Sequence, residues 1–164
     1  MMMVVIMMMA IIIKLNFNNK GVFMKPFKKS IYLAGAISYF YNTDQSERAT
    51  KWRDKAEEYF EQFDIKCFNP CKENPQCWDY PQDGLIKQNY FYLKNCDVML
   101  LNLDMLNDSV GTVFEMTLFW EWHKPIIAFG KTPWLERPHC KSMIDVHFNT
   151  LDEALDYITN MYEI

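Results

Sequence analysis

From Lys29 onward, short apolar runs alternate with longer stretches of helical periodicity, and this alternation constrains the fold more than any other feature of the chain. The runs are Ile31 to Ala34, Ile65 to Phe68, Val98 to Leu103 and Ile126 to Phe129, with a weaker fifth at Val146 to Phe148. Strand-length runs separated by helical patterns predict an α/β domain with a parallel sheet and crossover helices. Five such runs suit a doubly wound sheet.

Between the first two runs, Asp44 and Glu47 have the spacing of a capping box, and Ala49, Trp52, Ala56, Phe60 and Phe63 recur on one helical face. Thr150 and Glu153 announce the last helix in the same way, with a stripe of Leu151, Leu155, Ile158 and Met161. Two segments lack periodicity and are expected to be irregular: Cys71 to Asp83, which carries Pro75 and Pro81, and Lys131 to Ser142, which holds Pro133, Trp134, Pro138 and His139. A long loop inside a compact domain is more often functional than not.

With 164 residues, half of them hydrophobic, the chain has material for one core and one domain. The domain is expected over residues 29–164. Residues 1–28 are expected to be an extension, dispensable at least up to Met24. Its opening run of thirteen apolar residues falls short of the about 20 needed to cross a bilayer and lacks the basic start of a secretory signal. No membrane association is expected. A net charge of -4 offers no basic field to a phosphate backbone, so nucleic-acid polymers are disfavoured and a small ligand is favoured. Five cysteines without a signal peptide argue for reduced thiols in the cytoplasm. Cys67, Cys71 and Cys77 are too loosely spaced for an ordinary zinc site, and no metal is expected.

Ligands of open α/β sheets bind beyond the carboxyl ends of the strands. The residues falling there are Gly35, Ala36, Ile37 and Ser38 after the first strand and Asn69 and Pro70 after the second. Asn102, Asp104 and the segment Asp108 to Thr112 follow the third. Any of these can also serve simply to make turns. A helix is predicted to begin near Ser109 or Val110, capped by Asp108 or Ser109. Glu115 is the sole acid in its apolar interior before Glu121. A carboxylate there is costly unless it is paired or used. The nearby helix N-terminus is expected to keep Glu115 ionised, and Gly111 to let a ligand approach the backbone. The alternative is a glutamate that satisfies the helix dipole. Tyr32, on the first strand, is placed to hydrogen-bond a carboxylate on the neighbouring helix, or else is a core tyrosine with a satisfied hydroxyl.

The ordered pieces IYLAGAIS (31–38), the Trp52 and Arg53 pair, Asn69 and Pro70, NCDVMLLNLD (95–104), DSVGTVFEM (108–116) and KPIIAFG (124–130) resemble the nucleoside 2-deoxyribosyltransferase superfamily, which includes nucleoside 5'-monophosphate N-glycosidases. The resemblance implies a flavodoxin-like three-layer sandwich with a five-stranded, mainly parallel sheet. It implies Glu115 as nucleophile, oriented by Tyr32, attacking the anomeric carbon of a nucleoside or nucleotide to form a glycosyl-enzyme. A second base or water then takes the sugar. The remaining site positions, Gly35, Ala36, Ile37, Asn69, Asp104, Asp108, Ser109, Gly111 and Thr112, would hold the substrate. No cofactor is implied, and a homo-oligomer is.

Two positions depart from the pattern. Where the family often has an aspartate that protonates the departing base, this chain has Asn89, and an amide binds a base without acting as its acid. Ser109 stands where transferases commonly place an aspartate against the 5'-hydroxyl; a neutral hydroxyl at a helix N-terminus suits a phosphate. The leading expectation is a transferase, and the alternative a monophosphate N-glycosidase. A catalytically silent nucleotide-binding module is the competing class. A flavin-binding carrier rests on fold analogy alone and lacks a phosphate-cradling loop after the first strand.

Overall fold

The computed structural model describes residues 29–73 and 82–162. Its elements are β1 (Ser30–Ala34), α1 (Ser38–Asn42), α2 (Ser46–Glu61), β2 (Lys66–Phe68), α3 (Pro70–Glu73), α4 (Gln82–Asn95) and β3 (Val98–Asn102). A 3-10 turn (Leu106–Asp108) follows, then α5 (Val110–Glu121), β4 (Ile126–Phe129), α6 (Pro138–Met143), β5 (Val146–Phe148) and α7 (Leu151–Met161).

The strands form one sheet in the order β2-β1-β3-β4-β5, and all four pairings are parallel. This is the flavodoxin-like order, in which the chain reverses direction across the sheet between β1 and β3. The expected five-stranded α/β sandwich is therefore present, wholly rather than mainly parallel.

Strand alternation divides the core into two layers. Ile31, Leu33, Val98, Leu100, Ile127 and Phe129 face α2 and α7, where Ala56, Phe60, Leu155 and Ile158 meet them. Tyr32, Ala34, Met99, Leu101, Ile126 and Ala128 face the other way, toward Leu93 of α4, Met116 and Phe119 of α5, and Cys140 of α6. Each fully buried leucine or phenylalanine stabilises the fold by roughly 1.5–3 kcal/mol relative to exposure. Because both faces are covered, the strands read as continuous apolar runs.

The capping box of α7 forms as expected: Thr150 accepts from the Glu153 N–H, while the Glu153 carboxylate accepts from Thr150. Other local expectations are corrected. Asp44 is no cap; it turns the chain with φ +56, and α2 starts two residues later behind Gln45. Glu47 instead pairs with Lys51, one turn along. Helix α2 stops at Glu61, leaving Phe63 41% exposed, and Met161 at the end of α7 is 60% exposed. Lys131 to Ser142 is not irregular throughout, since Pro138 occupies the first turn of α6, where its missing N–H costs no hydrogen bond. Trp134 packs against the α4/α5 side of the core, whereas His139 is exposed. The expected loop from Cys71 to Asp83 is helical at both ends, in α3 and α4, and its middle lies outside the described residues. So do the expected extension of residues 1–28 and Cys77.

Among the described residues no helix is long and apolar enough to cross a membrane, and no group of three histidine, cysteine or acidic side chains could hold a metal ion.

Candidate active site

The reversal point of the sheet lies between the carboxyl ends of β1 and β3, and α5 passes over β1 there. Tyr32 projects from the middle of β1 toward α5, and its hydroxyl donates a 2.7 Å hydrogen bond to Oε1 of Glu115. The two residues are 83 positions apart in sequence. The Tyr32 ring is fully buried and stacks on Phe68 of β2 at 5.2 Å, which stacks on Tyr92 of α4 at 4.1 Å. Three aromatic rings from three elements thus fix where the hydroxyl points.

Glu115 keeps part of its surface open, but its carboxyl lies deep among protein atoms. Burial pushes its pKa up to about 7, against the Tyr32 hydrogen bond and the positive charge of Arg53, which both pull it down. Glu115 was expected to be helped toward the ionised form by the helix N-terminus, whereas here burial raises its pKa. Helix-dipole stabilisation fades beyond the first turn, and Glu115 sits in the second. Desolvation outweighs the hydrogen bond and the nearby positive charge. Tyr32 is held well above its ordinary value by burial and by Glu115, so its hydroxyl remains a donor throughout the neutral range.

After β1 the chain turns at Gly35. A Cβ at Gly35 would lie 3.2 Å from Asn102 Cβ and from Trp52 Cζ2, so only glycine lets β1, β3 and α2 close this tightly. Ala36 turns its methyl into a small cluster with Phe40 and Ala49, leaving only its backbone to the rim. Ile37 precedes the single turn of α1 and is half-buried. On β3, Asn102 is buried and its Oδ1 accepts the Asp104 N–H at 2.9 Å. Gly130, after β4, adopts φ +87 against both residues; a Cβ there would meet Asp104 Oδ1 at 3.2 Å. Asp104 itself stays partly exposed and faces Arg48 at 3.6 Å.

Ser109 is the N-cap of α5, yet its side chain makes no capping bond. Its hydroxyl lies 2.7 Å from that of Thr112, which is buried. At Gly111 an added Cβ would meet nothing within 4 Å, so no protein contact requires glycine there. The first turn of α5 therefore presents hydroxyls and uncrowded backbone on the rim, one turn from Glu115.

Other expected site residues are placed less simply. Asn69 is buried with its amide committed to the protein: it donates to Glu57 at 2.8 Å and accepts the Cys71 N–H at 3.0 Å. Its position thus serves the start of α3. Asp108 is exposed and accepts a 2.5 Å hydrogen bond from Asn107. Asn89 is half-buried on α4, one turn before Leu93, which packs in the core. Arg53 was noted in the sequence only as half of a motif. It is 0% exposed, and its guanidinium donates to the carbonyls of Leu33 (3.2 Å), Gly35 (2.9 Å) and Ala49. The seven-residue spacing of Ala49 and Ala56, with Arg53 between them on the buried side, was the signal available for it.

A cavity of about 310 Å³ opens between Lys66 and Asn95 at the amino ends of the strands, on the edge opposite Glu115. Its lining includes Phe68, Phe91 and Tyr92 and carries no carboxylate. The Tyr32 and Glu115 pair lies on the other rim.

The family profile described as nucleoside 2-deoxyribosyltransferase matches residues 31–142. The fold is similar to that of a 2-deoxyribosyltransferase from the psychrotolerant bacterium Bacillus psychrosaccharolyticus, with TM-score 0.62 and 19% identity, over 81% of this chain and 95% of that one. A conserved protein from Enterococcus faecalis is also similar, with TM-score 0.61 and 13% identity over 81% and 98% of the respective chains. Curated protein sequences yield no significant match.

Proposed function

The chain belongs to the nucleoside 2-deoxyribosyltransferase family, and from that premise we propose that it cleaves the N-glycosidic bond of deoxynucleosides through Glu115 and passes the sugar to another base. The supporting observation is the Glu115 carboxyl, desolvated and held by the Tyr32 hydroxyl at the carboxyl rim of the sheet. With Oε1 fixed by Tyr32, Oε2 is left to attack the anomeric carbon. A partly desolvated carboxylate is a stronger nucleophile than a hydrated one. The C–N bond breaks as the C–O ester bond forms, the bonding pair leaves with the base, and the base takes a proton from solvent or a nearby acid. Asn89 can hold the departing base by hydrogen bonds; Asp104 is the carboxylate available at the β3 rim. The incoming base then attacks the same carbon, frees Glu115 and loses its proton. Capture by water in that step is hydrolysis.

Ser109 favours a second reading, a nucleoside 5'-monophosphate N-glycosidase. Its hydroxyl does not cap α5, and the N–H groups of the first turn are positioned at an open glycine, a setting that suits a phosphate. One mixture separates the readings. Incubated with a deoxynucleoside and a second free base, a transferase yields a new nucleoside, while the hydrolase releases sugar phosphate from the monophosphate. In both cases a 2'-fluorinated deoxynucleoside or its monophosphate should leave a sugar adduct on Glu115, read by intact mass and peptide mapping. Turnover by Glu115→Ala at the wild-type rate would refute both. Ligand binding by a wild-type protein that cleaves no substrate would instead identify a silent binding module. The dispensability of residues 1–23 is tested in the same assay with a chain starting at Met24.

A further inference from the structure

The cavity at the amino ends of the strands takes no part in the site described above, yet its aromatic surface is only half used. Phe68 of β2 and Tyr92 of α4 stack at 4.1 Å along it, and Phe91 meets Tyr92 edge-on at 5.5 Å with 64% of its own surface exposed. A ring left that open beside a recess is apolar surface still available for burial.

The polar side chains of the lining do not converge on the space. The Ser30 hydroxyl is shared between the Asn95 carbonyl at 3.2 Å and the Asp97 carboxylate at 3.1 Å, and the Asn95 amide donates to the Phe91 carbonyl at 2.6 Å. Burial pushes the Cys96 thiol up to about 11, so that part of the wall is neutral. A small polar ligand is fixed by a few donors and acceptors aimed into its pocket, and here Ser30 and Asn95 are spent within the protein. An apolar side chain suits the cavity better.

Connectivity decides which side chain. Ser30 is both a lining residue and the first residue of β1, so the chain upstream of Lys29 arrives at the mouth of the cavity. The residues just before it are Met24, Lys25, Pro26, Phe27 and Lys28. At about 3.3–3.6 Å per residue, Phe27 lies within about 11 Å of Ser30 however the chain runs. Pro26 narrows the conformations open to this tether and so reduces the entropy lost when it docks. A group on a short tether has an effective concentration on the order of millimolar, which a free partner or a second copy would have to match.

We propose that residues 24–27 fold back on the domain and seat the Phe27 ring in this cavity against Phe91 and Tyr92. The segment then acts as a strap that ties the entry of β1 to the end of α4. It stabilises the domain from the edge opposite Glu115 and leaves the carboxyl rim untouched. A chain starting at Met24 retains the anchor.

The test compares thermal melts of the full chain as wild type, Phe27→Ala, Phe91→Ala and the double variant. Each single change is expected to lower Tm by about 2–5 °C. The double variant is expected to fall no more than about 1 °C below the lower single, because both changes remove the same contact. An unchanged Tm in Phe27→Ala overturns the proposal, and so do losses that add. The position of the ring is read separately with Phe27→p-benzoylphenylalanine in the otherwise unaltered full chain, irradiated and peptide-mapped. Crosslinks are expected to residues 66–68 or 91–96 of the same chain. Crosslinks elsewhere in the chain, or only in a species of doubled mass, overturn the proposal. Neither measurement needs turnover, so the outcome is independent of the role of Glu115.

Discussion

Replacing Tyr32 with phenylalanine removes one hydroxyl and keeps the ring that stacks on Phe68, which makes it a direct probe of the Tyr32 to Glu115 hydrogen bond. A hydrogen bond to a charged group contributes about 1.5–3 kcal/mol. At 1.36 kcal/mol per unit, its loss should raise the Glu115 midpoint by about one to two units. Starting from about 7, the carboxylate fraction at pH 7 falls from about one half to between about one tenth and one hundredth. If the ionised carboxylate is the nucleophile, kcat/KM at pH 7 should drop about five- to fiftyfold, and most of the loss should be recovered near pH 9.5. The assay is the pH profile of glycosidic cleavage for wild type and variant. Since Tyr32 itself is held protonated, the acid limb belongs to Glu115. An acid limb that superposes on that of the wild type, or a deficit equal at every pH, would refute the reasoning.

Glu115→Gln should be inactive yet more stable at alkaline pH. The native pKa of about 7 lies above the ordinary 4.5, so this group's contribution is fully present below pH 4.5 and is lost as pH rises through 7. That loss is up to about 3 kcal/mol, and melts at pH 8 should favour the glutamine variant by several degrees, with the gap closing below pH 4.5. Thr150→Ala breaks the capping box of α7 and should cost about 1 kcal/mol, a Tm decrease of about 2–4 °C, with activity unchanged because α7 lies on the face away from Glu115. Gly111→Ala meets no protein atom and should raise Tm slightly through helix propensity, by up to about 1 kcal/mol. If substrate approaches the α5 backbone, the same change should raise KM; an unchanged KM would remove Gly111 from the site.

The sheet was legible in the sequence because parallel strands covered on both faces must be apolar along their whole length, so each strand stands out as a run. The last helix was legible because Thr150 and Glu153 act locally, over three residues. Local rules failed where a neighbour in space competed. Lys51 took Glu47 from its expected cap, and Asp44 was used to turn the chain in a left-handed conformation. The short helix α6 was missed because six residues carry too little periodicity to register. Glu115 and Tyr32 could be nominated from the apolar context of one and the strand position of the other. Their 2.7 Å contact, the stack of rings that aims the hydroxyl, and the burial of Arg53 behind Gly35 required the folded chain. The sign of the Glu115 shift did too. Charge placement along a helix is a property of the chain, but desolvation depends on which elements close over the carboxyl, and that is decided only when β1, α2 and α5 meet.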